Sequence, residues 1–190
     1  MVLAAITREG EEEPLLREWA ALPGPRPLLL VVPRHPQRFD DVAELIANQG
    51  LFALRRSSWG ETPPPESLAA DVWLGDSLGE MPLYYGCADV ALLGGSFAPL
   101  GGHNLIEAAA CGCPLLMGPH TFNFAEAAEL ALAAGAAQRV ADLHEGVQRA
   151  VDLAWDANRH EWAARALAFA AGHRGAADRM ASAVLRLLPG

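Results

Sequence analysis

Apolar residues fall in short unbroken runs at positions 2–6, 28–32, 51–54, 72–74, 90–93 and 115–117. Runs of this length that do not alternate with polar residues predict strands buried on both faces of a parallel sheet. A last short strand is predicted at 137–140. Between the runs lie stretches with an apolar stripe at helical spacing, such as Val42, Leu45 and Ile46. They predict helices at 14–22, 39–49, 83–87, 105–110 and 125–134. The remainder, 143–188, reads as helical with breaks near 156–158 and 172–175. Its last helix, 176–188, carries a stripe of Met180, Val184 and Leu187. Strands alternating with helices define an α/β chain: one Rossmann-like domain over 1–190, with 143–190 a helical C-terminal segment.

The strand ends carry the unusual residues. After the run 90–93 come Gly94, Gly95 and Ser96, then Gly101, Gly102, His103 and Asn104, then an alanine-rich helix. This is strand, glycine loop, helix, at the sheet end where parallel α/β folds bind ligands. Glycines leave backbone N–H groups open to an anion, and a helix N-terminus adds to the attraction. A phosphate is expected here. Asn104 and Glu107 have the spacing of a capping box. Glu107 on the first turn is equally placed to accept hydrogen bonds from ribose hydroxyls, which together with a phosphate makes a nucleotide. His103 either orders the loop or hydrogen-bonds the phosphate. Arg34 and His35 follow the strand at 28–32 in a proline-stiffened loop. Asp76 and Ser77 follow the strand at 72–74, as helix caps or as contacts to base or ribose. The run Arg8 to Glu13 reads as a loop and an acid-rich helix start.

Composition narrows the classes. At 190 residues and 52% hydrophobic content the chain supports a real core. A formal net charge of −9 argues against a nucleic-acid partner. Cys87, Cys111 and Cys113 form neither a disulfide framework nor a usual zinc spacing and read as packing residues, so no metal site is expected. No signal peptide opens the chain and no run is long enough to span a bilayer, which predicts a cytoplasmic location.

The stretch Gly94 to Phe124 resembles the donor-binding half of bacterial Kdo transferases, where Kdo is 3-deoxy-D-manno-octulosonic acid. The resemblance is carried by Gly94–Ser96, Gly101–Asn104, Glu107 and Pro114–Phe124. Two further stretches extend it, Val32 to Pro36 and Gly75 to Glu80. It implies the C-terminal domain of a GT-B glycosyltransferase with CMP-Kdo as donor. The implied acceptor is a lipid A precursor, and transfer inverts the anomeric centre. No metal or other cofactor is implied. The donor-binding residues implied are Arg34, His35, Ser77, Gly94, Gly95, Ser96, Gly101, Gly102, His103, Asn104 and Glu107. No catalytic residue is expected in this chain, because the family's base lies in an N-terminal acceptor domain that it lacks. Contact with the inner membrane is expected only through the full-length protein, and the isolated chain is expected to be inactive in transfer. Arg8 and Leu100 depart from the family pattern, standing where it has a histidine and a basic residue. The alternatives are half of another GT-B enzyme using a UDP-sugar, or a stand-alone nucleotide-binding or regulatory module.

Overall fold

The computed structural model describes residues 1–173; the Met180, Val184 and Leu187 stripe lies outside them. Seven strands are present: β1 (Val2–Thr7), β2 (Leu29–Pro33), β3 (Ala53–Arg55), β4 (Val72–Leu74), β5 (Val90–Leu93), β6 (Leu115–Met117) and β7 (Ala137–Arg139). They form one parallel sheet in the order β3-β4-β2-β1-β5-β6-β7. The helices are α1 (Glu12–Ala20), α2 (Phe39–Asn48), α3 (Met81–Cys87), α4 (Ile106–Ala110), α5 (Ala125–Ala133), α6 (Leu143–Trp155) and α7 (Arg159–Gly172). The break expected near 156–158 separates α6 from α7.

The continuous apolar runs are explained by helices on both faces. Along β1, Val2 and Ala4 point to the layer of α1, α2 and α6, where Leu16, Trp19, Ile46 and Val147 are buried. Leu3 and Ala5 point the other way, to Tyr85 of α3, Ala108 of α4, Ala128 of α5 and Phe169 of α7. Period-two alternation thus feeds two cores at once, and each fully buried Leu or Val contributes about 1.5–3 kcal/mol. Between β3 and β4 the chain makes only two short 3-10 turns, Arg56–Ser58 and Pro65–Ala69. Three consecutive prolines, Pro63 to Pro65, account for the missing helix there.

From β1 the sheet extends through β2, β4 and β3 on one side, and the later strands β5, β6 and β7 lie on the other. The crevice beyond the carboxyl ends of β1 and β5 is therefore the switch point of a doubly wound sheet, where such folds take their ligands. Two irregularities mark it. The pairing of β1 with β2 shifts register between Ala5 and Thr7. Ile6, at that shift, has a φ of +58°, a left-handed conformation costly for a β-branched residue.

Candidate functional site

The glycine loop after β5 is packed against β1 by backbone contact. Gly94 donates its N–H to the Ala5 carbonyl at 2.8 Å. Gly95 follows at φ +69° with the His103 imidazole beside it; a Cβ there would lie 3.3 Å from Nε2. The loop closes on itself where the Gly102 N–H donates to the Gly95 carbonyl at 2.7 Å. Gly101 and Gly102 both have positive φ, at +87° and +77°, which explains the glycine pair.

The segment after β6 holds this loop from outside. The Gly118 N–H donates to Ser96 Oγ at 2.9 Å and the His120 N–H to the Ser96 carbonyl at 3.0 Å. Asn123 donates from its N–H to the Gly101 carbonyl at 3.1 Å and from Nδ2 to the Leu100 carbonyl at 3.0 Å. The motif from Gly118 to Phe124, for which the sequence offered no chemistry, is thus a clamp on the glycine loop.

Ser96 is fully buried, and its hydroxyl also donates to the Leu93 carbonyl. Its side chain is committed to the scaffold. The loop amides around it are committed as well. Glu11, only 2% exposed, accepts hydrogen bonds from the Gly95 N–H at 2.7 Å, Phe97 at 3.1 Å and Ala98 at 3.2 Å, and from Arg8 at 3.0 Å. The anion nest expected for a phosphate at Gly94–Ser96 therefore holds a carboxylate of the chain itself. Among the described residues no hydrogen bond uses the amides of Gly101, His103 or Asn104. With the Ser96 N–H, which likewise makes none among the described residues, those are the loop amides left to face an anion.

Positive charge gathers beside them. His103 is half-buried, and burial first, then the charges of Arg34, Arg8 and His35, hold its imidazole down at about 4; the Ile6 carbonyl pulls weakly the other way. It is neutral near pH 7, and its Nε2 is buried without a hydrogen-bond partner among the described residues. The Arg8 and Arg34 guanidiniums make no hydrogen bond or ion pair among the described residues. Arg34 is held in place through its backbone, which donates to the Thr7 carbonyl at 2.9 Å. The structure thus brings Arg8, Arg34, His35 and His103 together around the edge of the glycine loop.

Asn104 Oδ1 accepts from the Ile106 N–H at 3.1 Å, two residues on. The capping box expected with Glu107 is absent because α4 starts at Ile106, one residue later than expected. Glu107 is exposed and makes no hydrogen bond or ion pair among the described residues, so its carboxylate is available. Ser77 belongs to a separate cluster. Its hydroxyl bonds to Glu80 and lies 2.6 Å from Tyr84 Oη, while Glu80 pairs with Arg56 at 2.8 Å. Neither it nor Asp76 caps α3. Asp76 is buried and accepts from the Ser57 N–H at 2.7 Å, Ser57 Oγ at 2.6 Å and Arg55 Nε at 2.6 Å, which anchors the β3–β4 connection. Burial pushes its carboxyl up, but Ser57 and Arg55 outweigh that and hold it below the ordinary value.

Of the cysteines, Cys113 is fully buried in the core, Cys111 half-buried and Cys87 exposed, and none is paired. Among the described residues no group of three His, Cys, Asp or Glu is placed to hold a metal ion.

An all-parallel doubly wound domain with a glycine loop at its switch point is the architecture of one half of a GT-B glycosyltransferase. The same fold recurs in the kitacinnamycin glycosyltransferase, with a TM-score of 0.56 and 18% identity over 99% of this chain and 43% of that one. No protein-family model matches the chain. It is 48% identical over 190 residues to the 3-deoxy-D-manno-octulosonic acid transferase of Bordetella pertussis, covering 97% of this chain and 44% of that protein. Identity to the same-named protein of Haemophilus influenzae is 40% over 152 residues, 79% of this chain and 35% of that one. Among solved structures it is similar to the C-terminal CMP-Kdo binding domain of WaaA from Acinetobacter baumannii. There the TM-score is 0.73 at 30% identity, covering 88% of this chain and 87% of that one. The chain belongs to the 3-deoxy-D-manno-octulosonic acid transferase family, and it spans less than half the length of the curated relatives it matches.

Proposed function

We propose that this chain is the donor-binding half of a transferase that moves Kdo from CMP-Kdo to a lipid A precursor in lipopolysaccharide assembly. The observation that carries the reading is the gathering of Arg8, Arg34, His35 and His103 around loop amides that no group among the described residues uses. CMP-Kdo presents two anions on one anomeric carbon, a phosphate and a carboxylate, and the Arg8 and Arg34 guanidiniums, unpaired among the described residues, suit such a pair. Glu107 takes the ribose hydroxyls.

In transfer, an acceptor hydroxyl oxygen attacks the anomeric carbon from the face opposite the phosphate and inverts it. The carbon–oxygen bond to phosphate breaks, and its electron pair leaves with CMP. The acceptor proton goes to a base outside this chain. The role left to these residues is to stabilise charge growing on the phosphate. Preorganised donors of this kind contribute about 2.7–4 kcal/mol each. Arginines and amides supply the positive charge, so the proposed step uses no metal. Leu100 offers no cation where the family has one, and Arg8 and Arg34 take over that charge. The acceptor, and contact with the cytoplasmic face of the inner membrane, belong to the remainder of the protein. Among the described residues no helix is long and apolar enough to cross a membrane. The isolated chain is expected to bind nucleotide without transferring sugar.

Calorimetric titration with CMP, and with UDP as control, tests the reading. Saturable CMP binding, absent with UDP and weakened by Glu107→Ala, is the expected result. A preference for UDP assigns the domain to a UDP-sugar enzyme instead, and Kdo transfer by the isolated chain refutes the division of labour.

A further inference from the structure

The feature that the donor reading leaves unexplained is Glu11. A carboxylate that is 2% exposed carries a heavy desolvation cost unless its oxygens are satisfied. No cation pairs with Glu11 among the described residues. Its compensation is four backbone N–H groups, those of Arg8, Gly95, Phe97 and Ala98. Three of these come from the loop after β5 and one from the loop after β1, so a single carboxylate ties together the two strand ends that define the switch point. Successive loop N–H groups turned inward in this way form an anion nest, and here the anion is built into the chain.

We propose that Glu11 is a positioning residue for the donor, a permanent internal anion that sets the glycine loop before the nucleotide arrives. This rests on the donor-binding reading above. Gly95, fixed by Glu11, lies against the His103 imidazole and receives the Gly102 N–H on its carbonyl at 2.7 Å. The amides of Gly101, His103 and Asn104, unused among the described residues, are therefore oriented through Gly95. Arg8 is anchored by its own N–H on the same carboxylate, which directs its guanidinium from a fixed backbone. With Glu11 in the nest, the amides of Gly95, Phe97 and Ala98 cannot compete for the donor phosphate. The phosphate is then directed to the side bearing His103. Preorganisation of this kind raises affinity by removing ordering costs from the binding step.

The test is anion rescue. Glu11→Ala empties the nest, and formate is small enough to refill it. In the chain as described, E11A is expected to weaken CMP binding about tenfold or more, a loss of about 1.4 kcal/mol per decade. Added formate restores most of it and leaves wild-type affinity unchanged. In parallel, without nucleotide, hydrogen exchange at the Gly95, Phe97 and Ala98 amides speeds up in E11A and slows again with formate. Glu11→Gln keeps the volume but turns a donor toward donors. It is expected to lose affinity and protection at the same amides with no rescue, and it carries the comparison should E11A not fold. Wild-type affinity in either variant overturns the proposal. So does a loss in E11A that formate moves in neither readout, since that marks a purely structural role. A wild-type chain that binds no CMP refutes the donor reading and the affinity claim with it. The exchange arm still decides separately whether Glu11 holds the loop.

Discussion

Gly94→Ala is the sharpest probe of how the switch point is built. A Cβ at Gly94 would lie 2.7 Å from the Ala5 carbonyl oxygen, 2.6 Å from the Ile6 carbonyl carbon and closer still to the Ile6 oxygen. All three are backbone atoms of β1, a strand held on both sides by β2 and β5, so no flexible side chain can move aside. The loop must retreat instead, and the 2.8 Å hydrogen bond from Gly94 to Ala5 is lost. Overpacking typically costs about 1–3 kcal/mol, and the upper end applies where both neighbours are main chain. The lost hydrogen bond adds about 1 kcal/mol. A destabilisation of about 3–4 kcal/mol is expected, a large part of the roughly 5–15 kcal/mol that holds a domain together. Urea unfolding of wild type and variant reads it as a shifted midpoint at unchanged slope. A loss below about 1 kcal/mol would mean that the loop yields freely and that the close approach to β1 is not a constraint, against the packing argument made for Gly94.

Two further outcomes follow from other residues. His103 is held at about 4 in the folded chain, against 6.5 for a free imidazole. The unfolded chain binds this proton first, so stability is fully present above about pH 6.5 and falls as pH drops toward 4; His103→Gln flattens that slope in urea midpoints, and equal slopes would contradict it. Gly86 sits in α3 with ordinary φ and open space around its Cβ position. Gly86→Ala should raise stability by about 0.4–1 kcal/mol in the same assay, because only unfolded-chain entropy changes, and a destabilisation would show that α3 is packed more tightly than it looks.

The strands were legible because burial on both faces writes a continuous apolar run, which needs no tertiary knowledge to recognise. The glycine loop was legible because its positive-φ positions admit little else. Hidden were the features set by direction. A serine in a glycine loop reads alike whether it faces ligand or core, and Ser96 faces the core. Glu11 stood among neighbouring acids, a pattern shared with solvated helix starts, and nothing local marks one as buried. A negative residue three positions after Arg8 and close before a helix, in a chain that also carries a glycine nest, is the one signal that could have raised the question. Asn104 and Glu107 had capping-box spacing, but a one-residue delay in α4 turned the box into a local turn. Ile6 at φ +58° contradicts its own propensity, so only the geometry around β1 reveals it.

The strand order also dictates how this domain has to be made. Val2 of β1 pairs with Leu29 on one side and with Val90 on the other. The first partner is near in sequence, and the second follows only after two more strands, β3 and β4, and two more helices, α2 and α3, have been added. Until then β1 is the rim of a four-stranded sheet, with an open row of N–H and carbonyl groups along an apolar strand. Such rims invite pairing with other chains, and pairings that close long loops form late. A ribosome pausing between α3 and β5, or a fragment cut there, would present β1 as an open apolar strand edge. Over the span ahead of β5, speed of synthesis or a chaperone would therefore protect the open edge.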